Sequence, residues 1–238
     1  MRFFRKDAVV KIIGLIGGTT WLYTAEYYKT INQMINSRVG GVHSAKILLY
    51  SMDFEEFKPP ADAEGWKKSG EMLAGIARRL EVAGADCLLL CANTPHMVAD
   101  DVQAKIGIPI LHIAEMTAKE INKRRVQKVA LLGTKFTMER AFFKDRLTRH
   151  GIETLIPDDS DREFIHSSIY EEFGKGIFTT ETKNRYLQII KNLEGKGATG
   201  VIFGCTEIPL LIQQKECDIP VFDTTLIHAA SAVDFALA

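Results

Sequence analysis

The sequence predicts an α/β protein of two similar lobes, each with a parallel sheet flanked by helices. Strand-like apolar runs alternate with helical patterns along the chain, and this alternation is typical of βαβ units. The second half repeats the first, since KVALLGTKFTM at residue 128 echoes KIIGLIGGTTW at residue 11. GVIFGCTEIPLL likewise echoes CLLLCANTPHMV, and IPVFDTTLIHAA echoes IPILHIAEMTAK. A repeat over most of the chain implies two lobes of similar plan.

Periodicity and turn signals predict the elements of the first lobe. The expected order is strand KIIGLIGG, helix 24–39, strand 45–54, helix 66–84, strand 85–96, helix 97–106 and strand IPILHI. The first helix is expected to bury Ala25, Tyr28, Ile31 and Ile35. The third strand is apolar throughout, which is typical of a strand buried on both faces of a sheet.

These patterns also predict the domain boundaries. Lobe one is expected from residues 8–113 and 220–238, lobe two from residues 114–219, and a short N-terminal extension from residues 1–7. In open α/β sheets, ligands bind beyond the carboxyl ends of the strands. A cleft between lobes is also a preferred small-molecule site. We therefore expect the functional site in the cleft between the two lobes.

Composition argues against several classes of function. The 238 residues include 30 basic and 30 acidic side chains, so no net charge favours binding to nucleic acid. No apolar run approaches the roughly 20 residues of a membrane span, so membrane insertion is not expected. No export signal is evident, and a cytoplasmic location is expected. The four cysteines are then expected to be reduced thiols rather than disulfides or metal ligands.

The motif GCTEIP places Cys205 directly after the apolar run VIF, where a strand is expected to end. A helix beginning near Thr206 would direct its N–H groups and dipole at the thiol and lower the thiol pKa. A thiolate at this place could act as a base or a nucleophile. The alternative is a small buried cysteine at a strand end, which the motif alone leaves open.

The motif CANTPH occupies the equivalent place in the first lobe. Asn93 and Thr94 could present side chains and backbone N–H groups to a carboxylate. A plain turn is the alternative, because Asn, Thr and Pro are common turn formers. His96 and His228 each follow a strand-end motif, and either an orienting or a purely structural role fits them.

Glycine turns follow the first strand of each lobe. IGGTTW contains Thr19, and its counterpart GTKFTM contains Thr134, Thr137 and Met138. Such turns can hold an anion through backbone N–H groups. Neither turn has the complete G-x-G-x-x-G or P-loop pattern, so a dinucleotide-binding domain is a weak alternative.

Together, IGLIGGTTW, GGVHSAKILLYSMDF, CANTPH, GCTEIP and VFDTTLIHA resemble the aspartate/glutamate racemase family over nearly the whole chain. The glutamic acid in GCTEI is similar to the aspartate racemase branch, since glutamate racemases usually carry histidine there. The resemblance implies two flavodoxin-like lobes and a homodimer. It also implies a racemase without pyridoxal phosphate or any other cofactor, acting on aspartate, glutamate or a related small amino or carboxylic acid.

Racemases of this family use two cysteines on opposite sides of the substrate α-carbon, one as base and one as acid. Cys205 matches one of them. The other position is occupied by Ala92, and Cys91 lies one residue earlier. Strand alternation should turn Cys91 away from the site, and only a local bulge would bring it in as a second catalytic residue.

The resemblance also indicates a set of substrate-binding residues. These are Thr19, Ala92, Asn93, Thr94, Thr134, Thr137, Met138, Thr206 and Glu207. A glutamine and a lysine that bind substrate in the family fall at Ala61 and Phe164 in this chain. Their loss predicts a more apolar pocket, in which the side-chain carboxylate of an acidic substrate is poorly compensated.

Two functions remain open beside a racemase that depends on Cys205. A single base would suit a decarboxylase or isomerase that adds a proton from one side. A binding or regulatory protein would retain the cleft and Cys205 without turnover. The Ala92→Cys variant distinguishes these functions. If it racemises amino acids, only the second cysteine was missing; if it does not, more of the catalytic machinery has been lost.

Overall fold

The computed structural model describes residues 10–238, and the expected extension 1–7 lies outside the described residues. The chain divides into two compact units. Residues up to His112 join His228–Ala238 in the first unit, and Ile113–Ile227 form the second. Each unit has its own parallel sheet accompanied by helices, which confirms the predicted α/β class with two similar lobes.

The first unit is built on a sheet of order β2-β1-β3, parallel throughout. Its elements are β1 (Ile12–Gly17), α1 (Trp21–Val39), β2 (Lys46–Ser51), a 3-10 turn (Phe54–Phe57), α2 (Ala63–Val82), β3 (Cys87–Leu90), a 3-10 turn (Thr94–Val98) and α3 (Ala99–Gln103). Leu15 and Leu89 belong to one apolar cluster, whereas Ile16 and Leu90 belong to another. Both faces of the sheet are therefore buried, as the apolar third strand predicted.

The expected strand IPILHI is reduced to a bridge beside β3. Among the described residues, this run makes a single isolated bridge, between Leu88 and Ile110. The side-chain amide of Gln103 accepts a hydrogen bond from the Ile110 N–H at 2.7 Å and donates one to the Ile108 carbonyl at 3.0 Å. On the side facing β3, the Leu88 N–H donates to the Pro109 carbonyl and the Leu111 N–H donates to the Leu88 carbonyl, both at 2.9 Å. The run therefore pairs with β3 over one residue only, because a helix begins at Ile113.

Helix α1 presents a different face to the core than the periodicity predicted. Its core-facing apolar residues are Tyr23, Tyr27, Ile31 and Ile35. The expectation that Ala25 and Tyr28 are buried is wrong, since Ala25 is exposed and Tyr28 is 53% exposed. The four core-facing residues are spaced by four and form one row along the helix, and Tyr27, Ile31 and Ile35 pack in one apolar cluster with β1 and β3.

The second unit has a sheet of order β5-β4-β6-β7, again parallel. Its elements are α4 (Ile113–Lys123), β4 (Lys128–Gly133), α5 (Lys135–Glu139), α6 (Ala141–Arg149), β5 (Glu153–Leu155), α7 (Asp159–Glu171), a 3-10 turn (Phe173–Lys175), α8 (Thr180–Gly195), β6 (Val201–Gly204), α9 (Ile208–Leu211), a 3-10 turn (Gln214–Glu216), β7 (Val221–Asp223) and the start of α10 (Thr224–Ala236). Strand β7 pairs with β6. The chain therefore returns to the first unit at His228, later than the expected residue 220.

The candidate residues follow the carboxyl ends of adjacent strands in each unit. In the first unit, β1 ends at Gly17 and β3 at Leu90, and the two strands pair side by side. In the second unit, Gly133 at the end of β4 pairs with Gly204 at the end of β6. Each sheet thus gathers its own candidate residues at one edge, where α/β sheets bind ligands.

Candidate active site

Cys205 follows the last residue of β6 and faces a carboxylate of its own segment. Its thiol donates a hydrogen bond to Glu207 Oε2 at 2.7 Å, and the hydroxyl of Thr206 donates to the same oxygen at 2.8 Å. Glu207 is only 5% exposed, so this carboxylate has little contact with water. A buried carboxylate that accepts a thiol proton is chemically suited to act as the proton acceptor of that thiol.

The pKa of Cys205 is raised well above its ordinary value, which corrects the expectation of a lowered pKa. Burial is the largest cause, and the negative charge and hydrogen bond of Glu207 act in the same direction. Backbone N–H groups of Glu207 and Thr206 oppose the shift without reversing it. The following helix, α9, begins only at Ile208 and ends at Leu211, so it is too short and too late to supply the expected dipole.

Burial also raises the pKa of the Glu207 carboxyl, although its hydrogen bonds to Cys205 and Thr206 lower it. Its side chain points to the neighbouring thiol and hydroxyl within its own turn. The family resemblance predicts that Glu207 binds the substrate, whereas in this structure its carboxylate accepts a hydrogen bond from the Cys205 thiol. In this hydrogen bond the Cys205 thiol is the donor and the Glu207 carboxylate is the acceptor.

The turn after β4 packs closely against β6. Thr134 caps α5 and accepts a hydrogen bond from the Thr137 N–H at 3.4 Å. A Cβ at Gly204 would lie 2.8 Å from the Thr137 side chain, so glycine permits this approach. Thr134 is 6% exposed, while Thr137 and Met138 are fully buried, and Met138 packs in an apolar cluster with Phe203.

Tyr170 on α7 is a neighbour of the Cys205 pair that sequence reasoning missed. Burial is the largest cause that raises the pKa of its phenol to about 12, and the negative charge of the Glu207 carboxylate acts in the same direction. Its ring contacts His166, one helical turn earlier, at a centroid distance of 4.9 Å. The spacing of His166 and Tyr170 places them on one helix face, but nothing in the local sequence links that face to the end of β6.

In the first unit, Cys91 continues β3 and its backbone N–H donates to the carbonyl of Ile16 at 2.9 Å. Its side chain lies in an apolar cluster with Leu15, Tyr27 and Leu89 and is 2% exposed. Burial alone raises the pKa of its thiol. This environment stabilises a neutral, unreactive thiol and gives no geometric support for a catalytic role.

The CANTPH turn rests on buried histidines. Asn93 is 5% exposed, Ala92 and Thr94 are half-buried, and a short 3-10 turn begins at Thr94. His96 Nδ1 lies 2.9 Å from the carbonyl oxygen of Ala92, so that nitrogen carries the proton and donates. His96 therefore holds the backbone of the turn at Ala92, and this contact fits either of the two roles that the motif left open.

His228 extends this buried layer. Its ring lies 5.5 Å from the ring of His96, which is itself 4.5 Å from the ring of His112. His228 Nε2 faces the carbonyl of Leu111 at 2.5 Å, and Nδ1 faces the hydroxyl of Tyr27 at 3.0 Å. A carbonyl only accepts, so Nε2 donates and Nδ1 accepts from the tyrosine. Burial lowers the pKa of His228 to about 4, so this ring is neutral at pH 7.

The glycine turn after β1 packs against Met52 and is hydrogen-bonded to Thr24 of α1. Gly18 has φ +97°, and a Cβ there would lie 2.0 Å from the carbonyl of Met52, so only glycine fits. The Gly18 N–H donates to the hydroxyl of Thr24 at 2.9 Å. That N–H is therefore engaged by the protein instead of pointing at an anion. Thr19, the candidate residue of this turn, is 8% exposed.

All four cysteines lie in the described part of the chain, and each is a free thiol. Within residues 10–238, no group of three or more His, Cys, Asp or Glu side chains has the arrangement of a metal site. Among the helices described, none is both long and apolar enough to cross a membrane.

The comparison with known proteins agrees with the motifs. A family model described as Asp/Glu/hydantoin racemase matches residues 16–232. The chain belongs to this family. Its relatives include enzymes named as glutamate, aspartate and broad-specificity amino-acid racemases, so it is a member of a family of isomerases. The resemblance to racemases inferred from the sequence is thereby confirmed.

Solved structures and a curated relative agree over most of the chain. A candidate Asp/Glu racemase from Yersinia pestis is 48% identical, with a TM-score of 0.91 over 96% of this chain and 100% of that one. An aspartate racemase homologue from Pyrococcus horikoshii OT3 is 38% identical, with a TM-score of 0.84 over 95% and 99%. The broad specificity amino-acid racemase RacX of Bacillus subtilis is 26% identical over 186 residues, which is 75% of this chain and 76% of RacX.

Proposed function

We propose that this protein removes and returns the α-proton of a small amino acid, with Cys205 as the acid/base group. The observation that supports this proposal is the 2.7 Å hydrogen bond from the Cys205 thiol to the buried Glu207 carboxylate at the end of β6. A thiol with its own proton acceptor suits removal of a weakly acidic α-proton. Membership of the racemase family supports the same type of reaction.

The proposed steps account for every proton. Glu207 takes the thiol proton of Cys205, and the resulting thiolate removes the α-proton of the substrate. The electron pair left on the α-carbon is delocalised into the substrate carboxylate as an enolate-like anion. In the reverse direction, Cys205 gives the proton back to the α-carbon. Donors that stabilise the anion are required, and the family resemblance assigns this role to Asn93, Thr94 and Thr206.

Ala92 makes the proposed chemistry one-sided. Alanine has no proton to give, and the neighbouring Cys91 is buried among apolar side chains with a raised pKa. We therefore expect the proton that Cys205 removes to return mainly to the same face of the substrate. Inversion then needs a proton from water on the other face and should be slower than exchange.

Proton exchange in D₂O tests the role of Cys205. A panel of L- and D-amino acids should incorporate deuterium at the α-carbon in the presence of the protein. The Cys205→Ala variant should lose this exchange, whereas Cys217→Ala should retain it, because Cys217 is a half-buried cysteine of the same unit without the carboxylate contact. Exchange that survives in Cys205→Ala would rule out the proposed base.

Ala92 also favours a second candidate, a ligand-binding protein of the racemase family without turnover. Such a protein would bind an amino acid tightly and show no α-proton exchange with any member of the panel. The Ala92→Cys variant separates the two functions. Appearance of racemisation would show that the remaining machinery is intact, and complete inactivity of this variant together with tight binding would favour the binding protein.

A further inference from the structure

Strand β2 forms the outer edge of the first sheet. Its inner side pairs with β1 along its whole length, whereas no strand within residues 10–238 pairs with its outer side. Just beyond this ladder, the Met52 N–H donates to the carbonyl of Gly17. Backbone groups alternate in direction along a strand, so those of Leu49 and Ser51 point outward. An edge of this kind is a template for pairing with another strand.

The side chains of this edge are mostly apolar and incompletely covered. Ile47 packs against the apolar cluster that contains Tyr27 of α1, and Leu49 lies on the same face of the sheet because side chains alternate. Leu49 is nevertheless 45% exposed. On the opposite face, Leu48 and Tyr50 are half-buried against the cluster that contains α2. An exposed leucine thus lies on the α1 side of the edge strand.

Helix α1 extends this apolar surface. The side chain of Asn32 accepts a hydrogen bond from the Ala45 N–H at 3.0 Å, so this side of the helix lies next to the start of β2. The same side carries Trp21, Ala25 and Tyr28, which lie eleven, seven and four residues before Asn32. All three are exposed, Trp21 by 69% and Tyr28 by 53%. Together with Leu49, they form a surface that we call the α1–β2 face.

The equivalent edge of the second unit is built differently. Strand β5 is the outer strand beside β4, as β2 is beside β1, but it has only three residues. It begins at Glu153, which pairs with Lys128 at 2.8 Å. Helix α6, which packs beside β5, exposes the charged residues Asp145 and Arg149. Short strands and charged side chains protect an edge from pairing, so of these two edges β2 is the one suited to a partner.

We propose that the α1–β2 face binds a second copy of this chain, with the two β2 strands paired antiparallel across a two-fold axis. Two copies related by such an axis present the same edge to each other, and antiparallel pairing joins their sheets. Trp and Tyr are enriched among the residues that dominate binding at protein interfaces, which suits Trp21 and Tyr28. The family resemblance implies a homodimer without locating its interface, and the proposal assigns that interface to this face, independently of the chemistry at Cys205.

The charges at the two ends of β2 favour a second copy over an unrelated peptide. Lys46 begins the strand, whereas Asp53 and Glu55 follow its end, and all three are exposed. Antiparallel pairing centred on Leu49 brings Lys46 of each copy beside the acidic end of the other copy. Opposite charges then meet twice across the axis, so the strand is complementary to itself.

Sedimentation equilibrium measures this association directly, and the protein should have twice the mass of one chain. Leu49→Lys should raise the dissociation constant about tenfold or more, because a lysine on an edge strand opposes pairing. Leu226→Lys is the matched control and should associate as the unmodified protein does, since Leu226 is 48% exposed but lies in the second unit. A monomeric protein, or a dimer equally tight in both variants, would overturn the proposal.

Exchanging the charges tests the antiparallel arrangement. Lys46→Glu brings like charges together at both ends of the paired strands and should raise the dissociation constant about tenfold. Adding Asp53→Lys restores opposite charges, so the double variant should associate more tightly than Lys46→Glu alone. Circular dichroism and a thermal melt verify folding, because Asp53 also accepts a hydrogen bond from the Glu55 N–H at 3.0 Å. A folded double variant no tighter than Lys46→Glu would contradict this arrangement.

Trp21 reports on the face itself. The chain has two tryptophans, so Trp66→Phe leaves Trp21 as the only one. Dilution until the dimer dissociates should shift its fluorescence to longer wavelength, because Trp21 then becomes exposed to water. Leu49→Lys in the same background should show the shifted emission at concentrations where the unmodified dimer persists. Emission that stays constant while the mass falls by half would place the contact elsewhere on the chain and overturn the proposal.

Discussion

Single residues control the chemistry proposed for this protein. The thiol of Cys205 donates a hydrogen bond to the carboxylate of Glu207 at 2.7 Å, and burial raises the pKa of both groups. The sequence could identify Cys205, because a cysteine after an apolar run and before Thr-Glu marks a strand end. It could not predict the direction of the pKa shift, which depends on burial and on where the Glu207 side chain points.

Glu207→Gln should abolish proton acceptance while preserving the size of the side chain. We expect kcat for α-proton exchange to fall about 100-fold, with little change in KM. Exchange by the unmodified protein should increase as pH rises through the raised pKa of Glu207, because only the carboxylate can take the thiol proton. This acid limb should be missing from the pH profile of Glu207→Gln.

Glu216→Gln is the control for this experiment, since Glu216 pairs with Lys183 and does not contact Cys205. It should retain both the rate and the acid limb. An unchanged pH profile in Glu207→Gln would show that another group accepts the thiol proton.

The buried ring of His228 should couple stability to pH. Its pKa is lowered from 6.5 to about 4 by burial, so the unfolded chain binds a proton between these values while the folded chain does not. Stability from this group is therefore present above pH 6.5 and is lost as pH falls toward 4, by about 3 kcal/mol in total.

Urea unfolding of His228→Asn at several pH values measures this contribution. The variant should be less stable at pH 7, but its stability should fall less between pH 6.5 and 4 than that of the unmodified protein. His43→Asn, at an exposed position, should keep the original dependence. Parallel curves for the unmodified protein and His228→Asn would contradict a neutral buried ring.

At the scale of elements, the site depends on how closely α5 approaches the end of β6. The alternation of strands and helices was predictable from periodicity, as was the position of the candidate turns at strand ends. The length of the strand in IPILHI was not predictable, because an apolar run does not reveal that it pairs with β3 only at Ile110 before a helix begins at Ile113. The position of Tyr170 on α7 near Cys205 and Glu207 was also not predictable, because segments distant in sequence bring these residues together.

Gly204→Ala tests the approach of α5 to β6. The added Cβ would lie 2.8 Å from the Thr137 side chain and 2.9 Å from the Leu132 carbonyl oxygen, so we expect a loss of about 1–3 kcal/mol in the free energy of unfolding. Gly75→Ala is the control, because that exposed position in α2 has open space. It should raise stability by about 0.5–1 kcal/mol. Equal stabilities for the two variants would refute the close contact.

At the scale of the whole molecule, the internal repeat explains why two sheets have the same plan. In each unit, the first strand of the repeat, β1 or β4, lies between the two that follow it in sequence. The repeated motifs predicted two sheets of similar plan and the equivalent strand-end positions of CANTPH and Cys205, but not the order of the strands. They did not predict where the chain returns to the first unit, because the short run VFD could extend either sheet, and only its pairing with β6 decides.

The most direct test of single-base chemistry at Cys205 measures deuterium incorporation and inversion together. An L-amino acid from the panel is incubated with the protein in D₂O, and chirality and isotope content are determined on the same samples. We expect incorporation to exceed inversion severalfold, and the two rates to approach each other in Ala92→Cys. Inversion as fast as incorporation in the unmodified protein would contradict a lone Cys205 base.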